Sequence, residues 1–327
     1  MQSFWAFIHR LISDKRSFLY KDKVQKMKTI KLIGFALVTL IMLQNCGVLD
    51  LRTKRLKKEG LTKISIKKGK DILQKAWLTQ GYDKLQNHIV YSYNANDTWK
   101  GLLGGLGQIW PEKKIDLSFK YEIGSFDGYV TYKSGKQLGN SAGLQNWNYY
   151  EVKKKQIIFL DKKTKKSRKK IFGIAAFQYF NEMIDRLKNA PIISYAGEKE
   201  FRNKHYDLVF CTWDKPEAHK ENDQYIAWVN KKTGMLEFVQ YTIRETYLKP
   251  PGYKLIGGAV EFTDFKNIDG ILIPHTQLIY AIKMRKKSKR NLHKVVISDF
   301  EFDGFDIKEL RPNKTLKIGG NFKNKKQ

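Results

Sequence analysis

Ser141 stands in Gly139-Asn140-Ser141-Ala142-Gly143, a literal G-x-S-x-G. In a nucleophile elbow that spacing exposes a serine on a strained strand-to-helix turn, where a histidine can take its proton. The flanks do not supply such a turn. A polar stretch, Lys133-Ser134-Gly135-Lys136-Gln137, precedes the motif, and the strand-like Gln145–Tyr150 follows it. A small-residue loop is the favoured reading, so no catalytic residue is assigned and the chain is not read as an enzyme. A serine esterase using Ser141 is kept as the outside alternative. The histidines beyond residue 46 are His88, His205, His219, His275 and His293. No two are spaced i, i+4 and H-E-x-x-H is absent, so no metal site is expected. Gly101–Gly107 lacks the Lys-Ser/Thr of a phosphate loop and no G-x-G-x-x-G opens a helix, so no cofactor is expected. Cys46 and Cys211 are the two cysteines. Cys211 lies in the apolar run Tyr206–Trp213 and reads as a buried, inert thiol.

Most of the chain that would position these residues alternates with period two. Leu117, Phe119, Tyr121 and Ile123 share one strand face, and Asp127-Gly128 signals a turn into Tyr129–Lys133. Tyr225, Ala227 and Val229 lead into Asn230–Gly234, where a glycine is expected to close the turn with positive φ, and Leu236 and Phe238 follow. Val260, Phe262 and Phe265 approach Asp269-Gly270, after which Ile271–Ile273 runs into Pro274. Val296, Ser298, Phe300 and Phe302 end at Asp303-Gly304. Two helical patterns interrupt the strands. Ile72, Leu73, Ala76 and Trp77 mark one. Phe172, Ala175, Ala176, Tyr179, Phe180, Met183, Ile184 and Leu187 mark a greasier one, expected to pack on the concave face of the sheet. The expected class is α+β, a large curved antiparallel β-sheet forming an incomplete barrel, with helices on its concave face. Gly101–Trp110 is apolar and glycine-rich; it reads as an irregular buried connection or as a gate or lipid-contacting tip.

Lys28 and Lys31 precede an apolar run from Leu32 to Leu43 that ends on Asn45-Cys46. Roughly 12 residues rise only about 18 Å as a helix, short of the ~30 Å hydrocarbon core of a bilayer. A charged start, a short apolar centre and a cleavage-like end describe an export signal. Closing on a cysteine, with Leu43 three residues before it, resembles a bacterial lipoprotein signal. That resemblance implies a lipidated Cys46, removal of residues 1–45 (with Met27 as a possible true start) and no intramolecular disulfide for Cys211. An uncleaved anchor helix is the alternative.

The chain has 327 residues and a formal net charge of +30. Residues 1–45 hold 8 Lys/Arg and 2 Asp/Glu, which leaves +24 beyond them. Such charge ordinarily suggests nucleic acid. An exported protein meets anionic lipid head groups instead, each nearby basic residue contributing about 1 kcal/mol, so no nucleic-acid partner is expected. Residues 46–69 read as a lipidated basic tether, 70–311 as one folded domain and 312–327 as a basic flexible tail.

The order of helix, strands, central apolar helix and long hairpins resembles the lipoprotein-carrier superfamily, which includes LolA, LolB and the LppX-type proteins. Three pieces carry the resemblance: Asp71–Asp83 leading to Tyr91–Trp99; Tyr206–Phe210 followed by Asp223–Gly234; and Phe265–Pro274. It implies a half-barrel whose apolar concave face holds an acyl chain. The implied ligand-cavity residues are Leu102, Leu103, Leu106, Trp110, Phe172, Phe177, Phe180, Met183 and Ile184. It also implies a lipid-anchored protein of the bacterial envelope, on the outer membrane facing the periplasm, bound to a lipid or acyl ligand and taking part in lipid or lipoprotein transport. An envelope lipoprotein that is structural or binds a partner, without a ligand, is the alternative.

Overall fold

In the computed structural model, residues 47–160, 164–244, 253–282 and 290–316 are described. Cys46 and its export segment lie outside them. Thirteen strands form one antiparallel sheet, in the order β6-β5-β4-β3-β2-β1-β13-β12-β11-β10-β9-β8-β7. The chain lays down β1 (Val90–Trp99), β2 (Lys114–Glu122), β3 (Gly128–Tyr132), β4 (Ser141–Gln145), β5 (Asn148–Lys153) and β6 (Gln156–Phe159) as a meander toward one edge. It re-enters at the opposite edge with β7 (Ile192–Phe201) and returns through β8 (Lys204–Thr212), β9 (Gln224–Asn230), β10 (Leu236–Thr242), β11 (Gly257–Ile268), β12 (Ile271–Ala281) and β13 (His293–Phe302). There β13 pairs with β1. Edges β6 and β7 are not bonded to each other, so the barrel stays incomplete.

Local chemistry accounts for the hairpins. Asn230 Oδ1 accepts from the Lys232 and Thr233 amides, and Gly234 takes φ 72°. Asp269 and Gly270 both have positive φ, as a tight two-residue turn demands. One strand departs from simple alternation. The inward residues of β13 are Val295, Ile297, Phe300 and Phe302, so of the alternating set Val296, Ser298, Phe300 and Phe302 only the last two share the inward face. A bulge at Asp299 (φ 51°), matched by a register shift at Ser92/Asn94, inserts one residue and flips the parity.

Crossing from β6 to β7 takes the chain over the concave face in α4 (Lys165–Asn181) and α5 (Met183–Lys188). The helices numbered before them are α1 (Lys54–Glu59), α2 (Lys63–Thr79) and α3 (Gly101–Gly107). The deepest face of α4 carries Gly173, Ile174, Phe177, Gln178 and Asn181, whereas Phe172, Ala175, Ala176, Tyr179 and Phe180 are half-buried. The helix is therefore rotated relative to the stripe read from sequence. Its interior side joins Tyr91, Tyr93, Phe119, Tyr121, Val209, Val260 and Ile297 in one core.

The segment expected as a basic tether is folded. From Val48 the chain belongs to the same compact unit as the sheet. The two helices α1 and α2 straddle edge strand β7. On one face Leu56 of α1 closes a second core of Phe201, Tyr206, Leu208, Phe210, Ile226, Trp228 and Phe238. On the other, Leu73 and Ala76 of α2 join the main core. Both faces of β8 and β9 are thus covered, which is why Leu208–Cys211 reads as an unbroken apolar run. A Cβ on Gly69 would stand 2.6 Å from the Tyr195 amide nitrogen, so only glycine lets α2 lie this close to β7. Covering this edge removes one of the two open pairing sites of the sheet.

Candidate functional site

The interior beneath α4 is aromatic and closely filled. Phe177 packs on Phe119 (ring centroids 5.0 Å apart) and Trp110 (5.5 Å), and Phe300 stacks on Tyr91 and Tyr93. Trp110 and Phe177 are core residues. Phe180, Met183 and Ile184 border an interior space with Gln80, Tyr82, Leu236, Phe262, Phe265 and Pro274, whose volume is about 10 Å³. A ligand pocket usually has about 300–1,000 Å³. As it stands, this space holds no acyl chain.

A polar belt fastens the helices at the lower end of this interior. Glu182 and Arg186 form a buried ion pair at 2.8 Å. The Gly124 amide donates to Glu182 Oε2, Gln178 Nε2 donates to Glu182 Oε1, and Arg186 donates to the Ser125 carbonyl. Burial pushes the Glu182 carboxyl up, and Arg186 pulls it part of the way back. Gln277 Nε2 donates to Asn181 Oδ1, and the Tyr82 hydroxyl to the Asn181 carbonyl. Through these bonds the belt holds α4–α5 against the loop after β2.

At the opposite end the surface is apolar. Leu102, Leu103 and Leu106 do not line the interior: they are 81%, 64% and 62% exposed. The stretch expected to be a loop is the helix α3. Two of its glycines face inward: a Cβ on Gly104 would collide with the Leu292 carbonyl oxygen and one on Gly107 would press the Trp99 ring. The leucines are left to face out. Below the helix, Trp99 stacks on His293 at 3.8 Å, and its indole N–H donates to Asp97 Oδ2, while Asp97 Oδ1 binds His293 Nε2. The sequence gives no hint of this buried His–Asp pair, whose members lie 196 positions apart.

Strand register puts more residues on this rim. Trp99 pairs with His293, His293 with Ile279, Gly258 with Ala281 and Gly257 with Thr242. The starts of β11 and β13 and the ends of β1, β10 and β12 therefore share one end of the sheet. There Arg244 donates to the carbonyls of Lys254 and Leu49, and the Leu49 amide donates to Lys254 O. Leu255 and Ile256 beside it are exposed. From β1 to β11 is three strand spacings, about 15 Å, so α3 and Leu49 are near neighbours.

No family model matches the sequence, and no curated protein matches it significantly. Among solved structures the chain is similar to a LolA superfamily protein from Nitrosomonas europaea, with 12% identity, TM-score 0.44, and coverage of 74% of this chain and 96% of that one. A DUF1329 family protein from Desulfovibrio piger gives 13%, 0.44, 75% and 97%. The lipoprotein LppX of Mycobacterium tuberculosis gives 9%, 0.23, 70% and 94%. A likeness at this level is one of overall arrangement, and roles of ligands and residues do not pass through it.

The remaining candidates fall within the framework. Ser141 opens β4, buried, its hydroxyl paired with Thr131 Oγ1 at 3.0 Å. It lies inside an antiparallel strand and not on a strand-to-helix turn. Cys211 is fully buried, and burial pushes its thiol up. His88 binds Asp303 Oδ2, and His275 Nδ1 pairs with the Ile273 carbonyl. Among the described residues no cluster of three or more His, Cys, Asp or Glu could hold a metal, and no helix is long and apolar enough to cross a membrane.

Proposed function

We propose that this is an envelope lipoprotein, lipidated at Cys46 after loss of residues 1–45, that works against a bilayer and receives a lipid or acyl chain at its rim. The observation that carries the proposal is α3, a short helix that turns three leucines to solvent on the rim that also holds Leu49. Burying one leucine fully is worth about 1.5–3 kcal/mol, so even partial immersion of three gives several. A single acyl chain binds a membrane only marginally, and a second signal makes attachment stable. Leu49, the first residue clamped by Arg244, lies three positions past Cys46, a reach of about 10 Å. A lipid on Cys46 would bring the rim to the head groups, where Lys100 and Lys113 can meet anionic lipid. In this proposal the membrane is the outer membrane and the rim faces it from the periplasm.

The small space beside Phe180 bears on what the rim does with a ligand. With about 10 Å³ beside Phe180, an acyl chain would enter only if α4 moved outward. Its half-buried stripe of Phe172, Ala175, Ala176, Tyr179 and Phe180 would then be the surface it meets. The same filling favours a second reading, an envelope lipoprotein that binds no ligand and uses the rim for attachment alone. Native mass spectrometry of the full chain extracted from cells separates them. Retained phospholipid that Phe180→Asp abolishes supports acyl binding; a chain free of lipid leaves the second reading. Flotation with anionic vesicles tests the rim, since Leu102→Asp with Leu106→Asp should abolish it. Fatty-acid labelling lost in Cys46→Ala tests the anchor.

A further inference from the structure

Edge strand β6 is uncovered, in contrast to β7. All four residues of Gln156–Phe159 are exposed, with Ile157 at 48%, Ile158 at 44% and Phe159 at 39%. The Leu160 amide donates to the Tyr149 carbonyl, which makes that pair and the Glu151–Ile158 pair the hydrogen-bonded ones. Alternation then turns the N–H and C=O of Ile157 and Phe159 away from β5, toward solvent. An apolar strand with outward backbone groups is a template for another strand.

The flanks state what kind of strand. From Lys153 to Lys169 the sequence holds nine Lys/Arg and one acid, Asp161, with Gln-Ile-Ile-Phe-Leu as its apolar island. A second copy of the chain would bring like-charged flanks together, and such juxtaposition is costly. The turn before β6 adds an independent observation. Lys154 and Lys155 sit at φ 48° and 65°, a two-residue hairpin turn for which Asn-Gly is the favoured pair. Two long basic side chains are held there against the backbone preference, and strain of that kind points to use.

We propose that β6 is a docking edge for an extended acidic segment of a partner protein, which adds as a fourteenth strand. Main-chain hydrogen bonds from Ile157 and Phe159 would supply the ladder, Ile157 and Ile158 the apolar contacts on the two faces, and the lysines the selection for acid.

The test uses the full chain in non-ionic detergent and a fluorescein-labelled peptide of alternating Glu and Val, read by anisotropy. Two variants separate binding from folding. Ile157→Pro removes an outward donor without touching the bonds to β5, and it should weaken binding about tenfold. Lys154→Asn with Lys155→Gly improves the turn, so it should raise the melting temperature while weakening binding at least about threefold. The same peptide with N-methylated valines should not bind. Equal binding by the N-methylated peptide, or unchanged affinity in the Lys154/Lys155 variant, would overturn the proposal. So would a dimer in sedimentation that Ile157→Pro dissolves, which would make a second copy the occupant.

Discussion

Replacing Asp127 with Asn should stabilise the protein at neutral pH and do nothing at pH 4. Asp127 is 1% exposed, its Oδ1 accepts the Asn146 amide at 2.6 Å, and its Oδ2 is buried with no hydrogen-bond partner. Burial pushes this carboxyl from 3.8 up to about 6, the Asn146 amide pulling it down and the Glu122 charge pushing it further up. Between those two values the folded chain holds more protons than the unfolded one. Stability therefore falls as pH rises through that window and is level above it. At about 1.4 kcal/mol per pH unit, the gap is worth up to about 3 kcal/mol. Asn keeps the acceptor for Asn146 and puts an uncharged group where Oδ2 lies. Urea unfolding at pH 4.0, 5.0, 6.0 and 7.5 for both chains gives the measurement. The Asn variant should match wild type at pH 4 and exceed it by about 2–3 kcal/mol at pH 7.5. A difference that does not grow with pH would refute the reasoning, because it would mean the carboxyl is not held protonated by its burial.

Gly69→Ala should cost about 1–3 kcal/mol in urea unfolding despite alanine's better helix propensity, because the added Cβ would drive α2 off β7. Glu182→Ala should cost about 3–5 kcal/mol by stripping buried Arg186 of its carboxylate, and Glu182→Gln clearly less. Cys211 should ignore a thiol reagent in the native protein and react once urea unfolds it. The unfolded chain should then show one reactive thiol if Cys46 carries lipid and two if it does not, so one titration reads both residues.

What was legible in the sequence was what local chemistry dictates. The turns at Asn230–Gly234 and Asp269-Gly270, the opening helix and the central apolar helix each carry their own signal within a few residues. Elements that depend on distant partners were not legible. Helix α1 offers one leucine among five charged residues, and only the aromatic face of β7–β10 explains why it folds. In α3, four glycines in seven residues argue against a helix until Leu292 and Trp99 are seen to need two of them, Gly104 and Gly107. In β13 a period of two groups Val296 and Ser298 with Phe300 and Phe302, because the bulge that separates them is invisible to it. The candidate site was half legible: the apolar character of Gly101–Trp110 was plain, but which of its residues point outward was not. Leu102, Leu103 and Leu106 went to solvent and Trp110 to the core.

The order of the strands also bears on how the chain assembles. Twelve strand pairings hold the sheet, and eleven join strands that are consecutive in the chain. Each of those joins strand ends separated by between two and about fourteen residues, so the loop entropy to overcome is modest. The twelfth, β1 with β13, brings Trp99 beside His293 across nearly the whole domain. Formation of each meander is thus a local event, and the cost of a large loop falls on a single seam. That seam lies under α3, so the leucine rim is complete only when the slowest contact of the fold has been made.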